Sequence, residues 1–292
     1  IVSAAIVEII IGLAIYIINI QRGKKLFDLA YVKFAVLFNL PLIPHYLSTY
    51  ILEQSDRIMI QKMVGVSEAG LYSVAYNAGM MIKIVSNSIN NALVPWEYRK
   101  LEENDFDSLN KKLNSFMILF SFAALAFIAL APEAVFVLAG EKYYSAVYCI
   151  PPVTASCFFV FVWGVYGNAE FYYDANKFTM YISGVGAIVN LILNYVCIKA
   201  FGYTAAAYTT LFCYMLFTIS HFIFVNHISE KKCGKKAFNA RCLTMLSVAL
   251  LTGSFALSLL YNHMLARYIL ILIILVMTFV KRKQIADIVK FK

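Results

Sequence analysis

The sequence predicts an all-α integral membrane protein with nine transmembrane helices. Three observations predict it. The 292 residues are 62% hydrophobic and only 14% charged, which is far from the balance of a soluble domain. Nearly the whole chain divides into apolar stretches of about the 20 residues that a helix needs to cross about 30 Å of hydrocarbon. The loops between these stretches alternate between basic and charge-poor.

The predicted spans cover most of the chain and are joined by short loops. Pro41 and Pro44 lie inside the second span, where each removes a backbone donor, so we expect a break in the helix there. The nine spans are 1–20, 34–54, 70–95, 114–131, 145–167, 178–198, 203–226, 240–260 and 264–280.

The distribution of Lys and Arg predicts the orientation. Nineteen of the 25 basic residues fall in alternate loops and five in the remaining loops, so the first set is predicted to face the cytoplasm. The C-terminus is then cytoplasmic. We attribute the net charge of +9 to the basic loops that set the topology and to their attraction to anionic lipid. We expect no nucleic-acid partner. Because Ile1 lies directly within an apolar run, we expect the chain to be a fragment that lacks earlier spans.

Motifs for enzymes and cofactors are missing from the sequence. It has no GxxxxGK[ST], HExxH or GxSxG pattern, which would indicate nucleotide binding, zinc hydrolysis or a serine nucleophile. Its six cysteines never form CxxC, and its four histidines lack the spacing of metal ligands. We therefore expect no enzyme activity, no cofactor and no metal site.

The third span carries a polar face that a purely lipid-facing helix would not need. At about 100° per residue its polar residues fall within an arc of roughly 140°. The opposite face, which includes Ala78 and Ile82, is expected to contact lipid. Such a pattern predicts a helix that lines a polar cavity. The polar residues are Ser73, Tyr76, Asn77, Lys83, Asn87, Asn90 and Asn91.

Two further spans contain polar residues on one face. The second span places His45, Ser48, Thr49, Glu53 and, just beyond, Asp56 on one face, and Glu53, Asp56 and Arg57 are expected to be solvated at its outer end. The sixth span carries Ser183, Asn190 and Asn194 on one face. Glu8, His45 and Lys83 lie at similar predicted depths, and Glu8 or His45 is a candidate for coupling to an ion gradient.

Several segments resemble bacterial polysaccharide exporters, the flippases of lipid-linked oligosaccharides in O-antigen, capsule and exopolysaccharide pathways. They cover most of 34–226 in the right order. They are LPLIPHYLSTYILEQSDRIMIQKMVGVSEAGLYSVAY at 40–76, VPWEYRK at 94–100, APEAVFVLAGEKYYSAVYCIPP at 131–152 and NLILNYVCIKAFGYTAAAYTT at 190–210.

The resemblance implies a fourteen-helix fold of two six-helix lobes plus two extra helices, shared with multidrug and toxin extrusion antiporters in the MOP superfamily. On this template, residues 1–33 are the last helix of the first lobe with a linker. Residues 34–226 are the complete second lobe, and 227–292 are the extra helices with a basic tail. The nine spans here would then be the last part of that fold.

The resemblance also implies a function. The family moves undecaprenyl-diphosphate-linked oligosaccharide across the cytoplasmic membrane by alternating access, and a polysaccharide polymerase is a possible partner. The alternative is a multidrug or cation antiporter of the same fold. Both a diphosphate and a sugar chain need a polar cavity in hydrocarbon. The residues predicted to line it are Lys83, Asn77, Asn87, Asn90, Asn91, Tyr76, His45, Ser48 and Thr49.

Overall fold

The computed structural model describes residues 2–23, 28–40 and 42–280, and all the elements in these ranges are helices. Eleven are α-helices, and a 3-10 helix, Glu141–Cys149, precedes α7. The α-helices are α1 Val2–Gly23, α2 Leu29–Asn39, α3 Leu42–Met63, α4 Val66–Glu102, α5 Phe106–Ala129, α6 Ala131–Ala139, α7 Ile150–Tyr172, α8 Asn176–Phe201, α9 Ala205–Cys233, α10 Ala240–Leu259 and α11 Met264–Val280.

The chain forms two compact units, residues 1–46 and residues 47–292. In the first unit, α1 exposes large apolar side chains on every side between Ile6 and Ile18. A helix that is apolar all round is suited to a membrane or to the interior of a larger assembly. Asp28 caps α2, since its carboxylate accepts a hydrogen bond from the amide of Ala30 at 3.0 Å.

The second predicted span, 34–54, is not one helix. It is divided between α2, which ends at Asn39, and α3, which begins at Leu42. Pro41, at which the sequence predicted a break because its nitrogen cannot donate a hydrogen bond, lies between them and outside the described residues. The helices α3 and α4 also extend beyond the predicted ends, to Met63 and Glu102, because polar residues continue the helix outside the apolar run.

The second unit is organised around α7. This helix is buried without interruption from Ile150 to Val162, and it packs against α4, α5, α8, α9 and α10. Aromatic rings fill one of these contacts, where Phe120 of α5 stacks on Phe161 at 5.5 Å between ring centroids. A helix that is buried on all sides must lie at the centre of its bundle.

Asparagine side chains form hydrogen bonds with the backbone of the segment between α9 and α10. Asn226 forms two hydrogen bonds with the backbone of Phe238, at 2.8 and 3.0 Å. Asn110 of α5 donates to the carbonyl of Ala237 and accepts from the amide of Asn239. The ends of α5, α9 and α10 are thus tied together by side-chain bonds to the backbone.

Asp105 caps the start of α5 in the loop after α4. Its carboxylate accepts a hydrogen bond from the amide of Ser108 at 3.2 Å and pairs with Lys100 at 2.9 Å. The bonds from Ser108 first, and then from Lys100, lower the pKa of Asp105 from 3.8 to about 2. The cap is therefore retained at neutral pH and is lost only as the pH falls toward about 2.

Six of the described helical segments are long and apolar enough to cross a membrane. They confirm an all-helical architecture rich in candidate spans, whereas the count of nine stays a prediction. The helices α3 and α4 are not among the six, and in the part of α11 whose side chains the structure describes the apolar run is a shorter one, Met264–Ile273. The six are 6–23, 106–129, 141–172, 177–201, 205–233 and 240–259.

Candidate functional site

The polar stripe of α4, residues Ser73, Tyr76, Asn77, Lys83, Asn87, Asn90 and Asn91, lies at the edge of the packed face of the helix. Asn77, Asn87 and Asn91 are exposed, whereas Tyr76 is only 4% exposed. At 100° per residue, the buried residues of α4 lie to one side of the stripe and exposed apolar residues lie to the other. The stripe therefore borders the helix bundle on one flank and open space on the other.

The expectation that Ala78 and Ile82 contact lipid is wrong. They are 1% and 6% exposed, because this part of α4 packs inside the second unit. Gly79 makes the close approach to α7 possible, since a Cβ atom there would lie 2.8 Å from a methyl carbon of Val153. Small residues at such contacts are typical of membrane helices that pack closely.

Lys83 forms an ion pair with Glu53 of α3. The side chains are 23% and 27% exposed, so the pair is partly open to its surroundings. The sequence placed both residues on polar faces but predicted no pairing between them. An open pair of this kind can be exchanged for a ligand group at modest cost, because neither charge is fully desolvated.

Two other residues of the stripe bond to neighbouring helices. Asn77 accepts a hydrogen bond from Arg57 at 2.7 Å, and the same guanidinium lies 5.0 Å from the centre of the Tyr76 ring. Asn90 accepts from Asn168 of α7 at 3.0 Å. These bonds connect the stripe to α3 near one end and to α7 near the other.

The structure describes the positions of the remaining predicted site residues less completely. Ser48 and Thr49 are half-buried on α3. Glu8 is exposed on α1 in the first unit, and the side chain of His45 lies outside the described residues. A joint role for Glu8, His45 and Lys83 stays a prediction.

Asp56 is not solvated as the sequence suggested, because it is 0% exposed at the meeting point of four helices. Tyr72 of α4 and Thr210 of α9 donate to one carboxylate oxygen, at 2.6 and 2.8 Å. Asn194 of α8 donates to the other at 2.6 Å. We call Asp56 and these three partners the Asp56 cluster.

The Asp56 cluster extends along the polar face of α8. Asn194 also donates to Asn190 at 3.0 Å and accepts from Thr209. Ser55 donates to Asn190 at 3.4 Å. All these partners of the carboxylate are neutral, so the arrangement can retain a negative charge, a proton or a monovalent cation. The described residues contain no group of three or more His, Cys, Asp or Glu that could hold a metal ion.

The buried ionisable residues that were not predicted as site residues include two carboxylates and an imidazole. Glu97 is 1% exposed and accepts from Asn168 at 3.3 Å, whereas Glu170 and His221 are both 0% exposed and contact each other. Each lies close to the end of a predicted span or within one. An ionisable residue inside an apolar span already indicates a candidate site in the sequence. Which residue it pairs with on a distant helix cannot be predicted from the spacing of residues along the chain.

Comparison with known proteins shows a family similarity. Residues 1–99 of the 292 match the sequence profile of the polysaccharide biosynthesis protein family. The predicted resemblance is confirmed. With the six apolar helices, this match indicates a multi-pass membrane protein that is similar to members of this family.

One similar protein comes from Haemophilus influenzae and bears the name "Lsg locus putative protein 1". The two sequences are 29% identical over 162 residues, which is 52% of this chain and 38% of the relative. The match thus spans well under two thirds of the relative's length. No solved structure matches the chain.

Proposed function

We propose that this chain forms the second lobe of a transporter that moves polyprenyl-diphosphate-linked oligosaccharide across the cytoplasmic membrane for surface polysaccharide biosynthesis. The family match supports a role in this pathway. The physical problem is to carry a diphosphate and many hydroxyl groups through hydrocarbon, where each unpaired polar group costs several kcal/mol. A protein can solve it only by offering polar side chains along the route.

The observation that carries the proposal is the accessible polar stripe of α4. From Asn77 to Asn91 it extends 14 residues, or about 21 Å at 1.5 Å per residue. Amide side chains both donate and accept hydrogen bonds, so they can exchange partners with sugar hydroxyls as the substrate moves. A stripe of this length covers most of a bilayer core.

Lys83 would neutralise part of the negative charge of the diphosphate. In the structure its ammonium group is neutralised by Glu53. An approaching diphosphate would compete with that carboxylate for the ammonium group, and the ion pair would close again after release. Lobe movement of the kind that gives alternating access would then deliver the substrate to the opposite side.

The alternative, a multidrug or cation antiporter, is supported by one observation, the buried carboxylate of Asp56. An organic cation would need that carboxylate in contact with an aromatic cavity. Here the oxygens of Asp56 are occupied by Tyr72, Thr210 and Asn194. The accessible stripe is also amide-rich and contains a cation, so it suits an anionic sugar-bearing substrate better.

Substitution of Lys83 tests the proposal in the complete gene product. We expect Lys83→Ala to abolish surface polysaccharide in a strain that lacks its own flippase, because the cation is lost and Glu53 remains unpaired. Lys83→Arg should retain part of the activity, since it keeps the charge but changes its geometry. The measurement is surface polysaccharide per cell at matched expression.

Lys62→Ala is the matched control, since Lys62 is an exposed lysine of α3 and should behave as wild type. Normal polysaccharide from Lys83→Ala would contradict the proposal. Drug resistance that depends on Asp56 but not on Lys83 would instead favour the antiporter.

A further inference from the structure

A buried group of ionisable residues lies where α7, α8 and α9 meet. Glu170 is in the last turn of α7, Thr179 is in the first turn of α8, and His221 is in the middle of α9. Nδ1 of His221 lies 2.8 Å from one oxygen of Glu170, and the hydroxyl of Thr179 donates to the other at 2.7 Å. Both Glu170 and His221 are 0% exposed.

Aromatic rings enclose the imidazole of His221. Trp163 of α7 lies 5.8 Å away between ring centroids, and Phe178 of α8 lies edge-on at 5.7 Å. Glu170 is the titratable group that faces the ring from α7, and Thr179 and Phe178 face it from α8. In the described part of the chain, Nε2 of His221 has no hydrogen-bond partner although it is buried.

The net charge of the Glu170–His221 pair determines which protonation state the buried site favours. A neutral imidazole beside an ionised Glu170 leaves one negative charge among apolar and neutral side chains, which is costly. One added proton removes the net charge, whether it forms an imidazolium–carboxylate pair or a neutral carboxyl group. The packed arrangement therefore favours the pair with one proton bound.

We infer that Glu170 and His221 form a proton-binding site that takes up one proton when α7, α8 and α9 pack together and releases it to water when they part. The pair lies near an exposed turn, because Asp174, four residues after Glu170, is exposed between α7 and α8. Water at that end can reach the pair if α8 separates from α7. Proton binding would thus be linked to closure of these helices.

This inference builds on the proposed transport function, to which it adds a site for ion coupling distinct from Glu8 and His45. Proton binding itself requires no transport. The two proposals can therefore fail separately: Lys83→Ala should abolish export and leave the proton site unchanged.

Trp163 provides a direct readout of the site. This chain has two tryptophans, so Trp96→Phe, together with replacement of any tryptophan outside these 292 residues, leaves Trp163 as the only one. In this background, the purified complete gene product in lipid nanodiscs should lose fluorescence as the pH falls from about 8.5 to about 5, because a protonated imidazole quenches a neighbouring indole. The expected curve has a single midpoint.

Two substitutions test whether the Glu170–His221 pair causes the pH-dependent change in fluorescence. His221→Gln should remove the fluorescence change. Glu170→Gln can keep both hydrogen bonds but loses the negative charge, so the midpoint should fall by about one pH unit or more. Size-exclusion chromatography checks that both variants are folded.

His227→Gln is the matched control, because His227 is an exposed histidine of the same helix, and it should titrate like the parent. A fluorescence change that persists in His221→Gln overturns the inference. So does a midpoint that is unaltered in Glu170→Gln, or an absence of any pH dependence in the parent.

Discussion

At the scale of single residues, Asp56 shows how a membrane protein retains a buried carboxylate. Three neutral donors on three other helices each form one hydrogen bond with it. When the carboxylate is ionised, such charge-assisted bonds are roughly twice as strong as neutral ones. Asp56 therefore fixes α4, α8 and α9 relative to α3 and stabilises the bundle.

We expect Asp56→Ala to destabilise the protein markedly. The change leaves Tyr72, Thr210 and Asn194 without their acceptor, and each buried unpaired group costs about 1–3 kcal/mol. The midpoint of thermal unfolding in detergent should fall by about 5 °C or more.

Asp56→Asn should lower the midpoint less than Asp56→Ala, because the hydroxyl groups of Tyr72 and Thr210 can turn to accept from the new amide. Asp107→Ala removes an exposed aspartate and should leave the midpoint unchanged. Equal midpoints for Asp56→Ala and Asp107→Ala would show that the cluster contributes nothing to stability.

At the scale of elements, α8 and α9 pack so closely that one position requires glycine. A Cβ atom at Gly186 would clash with the ring of Phe217. That ring is 4% exposed and lies 5.4 Å from the ring of Trp163, so it has little room to turn away. The contact brings Asn190 and Asn194 toward Thr209 and Thr210.

We expect Gly186→Ala to lower the midpoint of thermal unfolding, since overpacking typically costs about 1–3 kcal/mol. Gly184→Ala, two residues away, is the control. Its new methyl group would meet only Ser48, at 3.9 Å, and the higher helix propensity of alanine should raise the midpoint slightly. If both variants move the midpoint upward, α8 and α9 are not in this close contact.

At the scale of the whole molecule, the sequence predicted helices and a polar stripe but not how the helices pair. Apolar runs located most helices, and the prolines predicted a division of the second span, which is indeed divided between α2 and α3. The stripe of α4 was predicted from periodicity alone. Asp56 was misplaced because its position near the end of an apolar run suggested solvent, whereas its partners come from residues 72, 194 and 210, which spacing cannot relate.

Thiol labelling of the complete gene product tests whether the stripe faces water in the membrane. In a background with the six cysteines of this chain and any others in the complete gene product replaced by serine, Asn87→Cys and Asn91→Cys should react with a membrane-impermeant maleimide. Ala78→Cys should not, because Ala78 is 1% exposed. Reaction at position 78 with silence at 87 and 91 would mean that α4 is rotated, and the proposed route would be lost.

The enclosure of α7 limits how the second unit can change shape. Five neighbouring helices surround α7. We therefore expect α7 to stay in place while the surrounding helices slide against it. Backbone amides from Ile150 to Val162 should exchange with deuterium more slowly than those of any other helix in this unit. Its side chains have little freedom to change volume, so sequence variation between related proteins should concentrate on the surrounding helices.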